Sequence, residues 1–340
     1  MTQPSAETVE RLAQWEVWLR SSTEEPLDPQ APIVDPHHHL WDRAGHTYLP
    51  KQFRTDASEH RLVASVYVEC RSNYRAKGPE AMKPVGETQY VAELVAGRPA
   101  TQQTALCAGI VGFADLSLGD EVEAVLQAHE EVGAGRFKGV RYATAWDADP
   151  TIHTAYPSHA GMLCESRVQL GARCLARRGA SLDTWVYFHQ LNDVVALAHA
   201  CPGLSIVVNH AGGPLGIGAY TERRQEVFAQ WLLAVKAFKS LDNVTMKFGG
   251  LAMPLAGFGW RKHPKPPASQ TLAEAWRPYF DVCLEVFGPA RCMFESNFPV
   301  DRTGCSYTSL WNAFKTLAHD LSAAERLLLL HGTAQRIYRL

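Results

Sequence analysis

Short apolar runs alternate with longer helical patterns along most of the chain. Eight runs have the length and residue types of strands: 33–39, 62–69, 108–115, 137–142, 184–189, 205–210, 244–248 and 291–297. Helical spacing of apolar residues follows in 87–94, 120–132, 162–178, 191–200, 221–239, 272–287 and 307–317, and a last helical pattern over 323–339 closes the chain. Strands alternating with helices form a parallel sheet, and eight such units close into a (β/α)8 TIM barrel. The alternative, an open doubly wound sheet binding a dinucleotide, lacks its Gly-x-Gly-x-x-Gly turn after the first run. Ahead of the barrel, Val9, Leu12, Trp15 and Leu19 recur at helical spacing, and a proline-rich link, EPLDPQAP, follows. The pattern divides the chain into residues 1–32, a short helical extension with its linker, and 33–340, the barrel. The extension is expected to cover the barrel floor or to meet a second subunit of a homo-oligomer.

The polar residues of these runs gather at their C-terminal ends. His37 and His39 end the first run, Glu69 the second, His189 the fifth, His210 the sixth and Asn297 the eighth. In a barrel those ends share one face, where catalytic groups belong. The first run contains Asp35-Pro36-His37-His38-His39. Alternate side chains of a strand share a face, so Asp35, His37 and His39 should point inward and His38 toward the helices. Two imidazoles two residues apart can hold one metal ion or one polarised carbonyl, and Asp35 is placed to orient a neighbouring ring.

Composition excludes several classes. A formal net charge of −2 on 340 residues gives no field for nucleic acid, and the basic runs are short and scattered. No stretch approaches the roughly 20 apolar residues that span a bilayer. The N-terminal sequence has no apolar core or small-residue cleavage site of a secretory signal. None of the eight cysteines forms a Cys-x-x-Cys pair, so a structural zinc knot is not expected and the thiols are expected to stay reduced in the cytoplasm.

With DPHHHLWD near the start, GVR in the fourth run, VNHAG in the sixth, MKFGGL in the seventh and FESNFPVD in the eighth, the sequence resembles the amidohydrolase superfamily. It is most similar to the amidohydrolase-2, lactonase-like branch, over about residues 33 to 340. The resemblance implies that His37, His39 and His210 bind a divalent ion such as Zn or Mn, or polarise the substrate carbonyl without a metal, with His189 joining from the fifth strand. It also implies an aspartate in the eighth strand as the base that deprotonates water. That position is Asn297, whose amide accepts no proton near neutral pH. Three routes stay open: Glu295 two residues earlier as base, Asp301 swinging in from the following loop, or a reaction other than hydrolysis. Glu295 is preferred, because burial raises a carboxylate pKa toward neutrality.

The loops of the same face suggest an anionic substrate. Arg71 follows the second run, Trp260 and Arg261 follow the seventh, and Lys138 and Arg141 lie on the fourth. Arginine forks bind carboxylates in two-point fashion, and Trp146, Trp260 and Phe298 offer flat walls for a ring. The expected activity is opening of a small anionic lactone or related cyclic ester or amide. The alternatives are a metal-dependent decarboxylase or hydratase acting on an aromatic or sugar acid, and a non-catalytic ligand-binding relative.

Overall fold

A computed structural model describes residues 6–43, 46–97, 104–152 and 154–340. Its main sheet holds β1 (Ile33–His38), β2 (Leu62–Val68), β3 (Ala105–Gly112), β4 (Phe137–Ala143), β5 (Ser181–Trp185), β6 (Ser205–Val208), β7 (Val244–Phe248) and β8 (Cys292–Phe294). The eight strands pair in chain order, and every pair is parallel. Helices cover the outside, anchored by large apolar side chains such as Trp231, Trp276 and Trp311, all fully buried. The arrangement is the (β/α)8 barrel that the alternation predicts.

The barrel closes through main-chain bonds just past the regular ladder. Asn297 N donates to His37 O at 2.8 Å, and His39 N donates to Phe298 O at 2.8 Å. Pro36 has no N–H to give a ladder, and the register of β1 against β2 slips between Asp35 and His38. The slip turns Asp35 to the seam. Its Oδ1 accepts Ser296 N at 3.0 Å and His37 N at 3.3 Å, and its Oδ2 accepts Tyr307 OH at 3.1 Å. Asp35 therefore ties the first strand to the eighth and orients no imidazole, a correction to the strict alternation expected for this segment.

The floor is filled by the C-terminal helix Thr333–Tyr338, not by the N-terminal one. Ala334 and Tyr338 pack with Val66, Val111, Val207 and Met293 inside the barrel. The N-terminal helix Ala6–Leu19 lies instead over the loops of the opposite face. Trp18 Nε1 donates to His263 O at 2.9 Å, Trp15 meets His46 edge-on, and Glu16 pairs with Arg302. Those partners follow β7, β1 and β8, so the extension buttresses the mouth. Among the described residues no helix is long and apolar enough to cross a membrane.

Candidate active site

His37 lies near the end of β1 and His39 just past it, their rings edge-on at 5.0 Å, and His210 follows β6 with its ring 4.6 Å from His37. All three are buried. His38 takes the other face, where its Nε2 meets Ser65 Oγ at 2.9 Å and its ring stacks on Phe53. Glu295, just past β8, lies between two of the inward imidazoles. Its Oε1 accepts from His210 Nδ1 at 2.7 Å and from His210 N at 2.8 Å, and its Oε2 lies 2.9 Å from His37 Nδ1.

Two consecutive glycines make this approach possible. A Cβ on Gly250 would stand 2.4 Å from His210 Cβ, and one on Gly249 would stand 2.5 Å from Glu295 Cγ. The main chain also bends sharply here: His210 and Ala211 have φ of 55° and 51°, a region non-glycine residues avoid. The MKFGGL segment thus has a steric reason for its glycines.

Hydrogen bonding fixes two tautomers. His39 Nδ1 faces Val68 O at 2.7 Å, and a carbonyl only accepts, so Nδ1 carries the proton and Nε2 keeps a lone pair. Against the carboxylate of Glu295, His210 Nδ1 likewise carries the proton. Burial, together with the nearby Lys247 and Arg141 cations, holds His37 well below the usual histidine pKa; burial and Arg141 do the same to His39. Both rings are therefore neutral near pH 7.

The expected ligand set was His37, His39 and His210. The ligand atoms that converge, all within 4.8 Å of one another, belong instead to His37, His210 and Glu295. His39 does not join that set: the Val68 carbonyl takes its Nδ1 and leaves Nε2 with a lone pair beside it. This trio fits a divalent ion chemically: it offers two imidazoles and a carboxylate, and His37 Nε2 and Glu295 Oε2 are buried without a hydrogen-bond partner. Such orphaned atoms are costly unless something else satisfies them.

Other expected residues stand elsewhere. β5 ends at Trp185, and the chain then turns outward through Phe188–Gln190. His189 is carried off to pair with Asp147 at 2.8 Å, and the Trp185 ring packs beside His210 in its place. Asp301 does not swing in. Its carboxylate is fully buried and accepts Ala252 N and Asn297 Nδ2, each at 2.6 Å, and burial raises its pKa well above the carboxylate norm. The Asn297 amide is thereby held by Asp301. Lys138, near the start of β4, reaches Arg339 O at the barrel floor, the wrong end for a substrate contact. Arg71 is exposed and donates to Ala155 O above the Tyr156 ring. Trp260 and Arg261 line a neighbouring groove of about 740 Å³ with Tyr220 and Arg224, and none of the cluster residues lines it.

Arg141 does belong to the mouth, but it is largely engaged. Its Nε donates to Glu69 Oε1 at 2.7 Å, and its Nη2 donates to Glu69 O at 2.6 Å and Tyr156 OH at 2.9 Å. Tyr156, from the loop after β4, donates to Glu69 in turn at 2.7 Å. Beneath the imidazoles lies a second buried pair, which the sequence analysis did not single out. Lys247 Nζ sits 2.7 Å from Asp183 Oδ2 and 3.3 Å from His37 Nδ1. The available signal was a charged residue inside each apolar run, VTMKF and SLDTW.

Comparison with known proteins agrees with this architecture. The chain is 29% identical over 329 residues to protein y4mH of Sinorhizobium fredii, covering 90% of this chain and 98% of that one. It is 26% identical over 322 residues to L-fucono-1,5-lactonase of Burkholderia multivorans, covering 90% and 96%. An amidohydrolase of Burkholderia multivorans crystallised with HEPES superposes with a TM-score of 0.71 at 25% identity, covering 91% of this chain and all of that one. A second crystal form, with zinc, gives 0.69, again at 25% identity with 91% and 100% covered. The amidohydrolase family model matches residues 34–340, so this chain belongs to the amidohydrolase family.

Proposed function

We propose that this chain hydrolyses a small anionic lactone, or a related cyclic ester or amide, with water as the nucleophile. The observation that carries this is the buried Glu295 carboxylate, hydrogen-bonded to His210 Nδ1 at 2.7 Å, with its other oxygen 2.9 Å from His37 Nδ1 but making no hydrogen bond there. Both Glu295 oxygens face imidazoles, so the carboxylate is better placed to orient and polarise those rings than to touch water itself. The base is then an imidazole. With Nδ1–H of His210 on the carboxylate, Nε2 is free to take a proton from water as its oxygen attacks the carbonyl carbon. The carboxylate stabilises the imidazolium that forms, and the ring oxygen leaves with that proton. His39, with its Nε2 lone pair, stands beside the same space.

Arg141 supplies the positive charge at the mouth. Its Nη1 is not used by Glu69 or Tyr156, and serves as the donor for a substrate carboxylate or the developing oxyanion. A divalent ion held by His37, His210 and Glu295 would add Lewis-acid polarisation of the carbonyl, and His39 Nε2 would then be the lone pair left to take the proton from water. The similarity to L-fucono-1,5-lactonase supports sugar-acid lactones as the first class to try.

The test is a proton-release assay on a panel of carboxylated lactones and pyrones, with uncharged aldono-1,5-lactones such as L-fucono-1,5-lactone alongside them. Turnover by the wild type that is lost in His210→Ala, with the circular dichroism spectrum unchanged, is the expected result. No turnover of any panel member, or full activity in His210→Ala, sinks the proposal.

A further inference from the structure

The hydrolysis proposed above has no use for the ion pair beneath the histidines. Lys247 and Asp183 have fully buried side chains, with Nζ 2.7 Å from Oδ2. Asp183 is generously supplied with other donors: Tyr338 OH reaches its two oxygens at 3.0 and 2.8 Å, and Asn209 Nδ2 reaches Oδ2 at 3.0 Å. The ammonium is the sparingly used partner. Its second polar neighbour is His37 Nδ1 at 3.3 Å, the same nitrogen that lies 2.9 Å from Glu295 Oε2. One ring nitrogen thus faces a cation on one side and a carboxylate on the other. Lys247 Nζ donates to that nitrogen, which presents its lone pair there, while Glu295 Oε2 lies close without a hydrogen bond. Arg141, paired with Glu69, adds positive charge that His37 also feels.

We propose that Lys247 is the resident cation of this centre and sets its affinity for metal. Asp183 holds the ammonium against His37, where it opposes any divalent ion shared by His37, His210 and Glu295. This rests on the reading of those three residues as the cation site. Like charges a few ångströms apart in a dry interior repel far more strongly than at a surface. Removing the ammonium should therefore tighten metal binding.

The experiment measures the zinc dissociation constant of the full chain by competition with a chromogenic chelator. Lys247→Met/Asp183→Asn removes the pair without stranding either charge, and should bind zinc about tenfold tighter or more. Lys247→Gln keeps a donor to Asp183 and should shift the constant the same way, which covers failure of the double variant to fold. A folded variant whose constant stays within about twofold of the wild type, or weakens, overturns the proposal, since tenfold requires only 1.4 kcal/mol of relieved repulsion. Adding His37→Ala to the wild type and to each Lys247 variant separates the two ideas. Zinc binding that survives it shows that the trio is not the site. Zinc binding that disappears, with no tightening from the Lys247 changes, removes only the role of Lys247.

Discussion

Glu295 accepts two hydrogen bonds from His210 on one oxygen, from the main-chain N–H at 2.8 Å and from ring Nδ1 at 2.7 Å. The residue is thus held twice by a single partner, and the ring cannot rotate without losing the hydrogen bond that fixes its tautomer. Glu295→Gln keeps the acceptor oxygen and loses the charge. Turnover should fall about a hundredfold or more, as for loss of one preorganised electrostatic contact. Glu295→Ala also strands buried N–H groups, and should cost roughly 2–4 kcal/mol in urea unfolding beyond the Gln variant.

Gly250 faces His210 so closely that a Cβ would lie 2.4 Å from the His210 Cβ, and its φ of +70° already disfavours any side chain. Gly250→Ala should push the imidazole off Glu295. The expected result is at least about tenfold loss of turnover with destabilisation of roughly 1–3 kcal/mol. Kinetics and chemical denaturation on the same preparation check both parts; unchanged kinetics would refute the steric account.

The Lys247–Asp183 pair has consequences for stability as well. Lys247→Met leaves a buried carboxylate whose cation is gone, and should destabilise by about 3–5 kcal/mol. Lys247→Met/Asp183→Asn should recover a good part of that loss. A double-mutant cycle that includes Asp183→Asn, read by urea denaturation, gives the coupling, and single-variant losses that simply add up to the double-variant loss would show that the charges do not interact.

Glu87 should make stability depend on pH. Its Oε1 accepts Tyr67 OH at 2.7 Å and Cys70 N at 2.8 Å, holding the loop after β2. Burial, and the charge of Glu69, push its pKa up from 4.5 to about 7. The folded state then holds a proton between those values that the unfolded state has lost. Its contribution is favourable at low pH and declines as pH rises from 4.5 to 7, by a total of order 3 kcal/mol. Glu87→Gln should flatten this slope, read as the difference in urea midpoints at pH 5.5 and 8. An identical slope in the variant would remove Glu87 as the cause.

Much of the fold was legible along the chain, because strand and helix periods are local properties. The runs at 62–69, 137–142 and 244–248 lie within a residue or so of β2, β4 and β7. The residue pattern of the eighth run extends to Asn297, whereas β8 stops at Phe294. There the main chain leaves the ladder to build the turn that carries Glu295 and Asn297. The same early ending moves His189: the fifth run starts three residues after the start of β5 at Ser181. Lys138 shows the complementary limit. It shares a strand with Arg141, yet three residues along a strand separate the floor from the mouth.

By itself the sequence determined an eight-unit barrel and the gathering of His37, His39, His210 and Glu295 toward one mouth. Periodicity and strand direction dictate these without knowledge of distant neighbours. Only the tertiary structure decided that Glu295 joins two imidazoles, that Asp301 locks Asn297 away, and that Lys247 faces Asp183. These pairings link segments 4 to 85 residues apart or, for His37 with Glu295, the two ends of the barrel. A buried polar group must find whatever partner the closed barrel presents, and ring closure brings that partner from another strand.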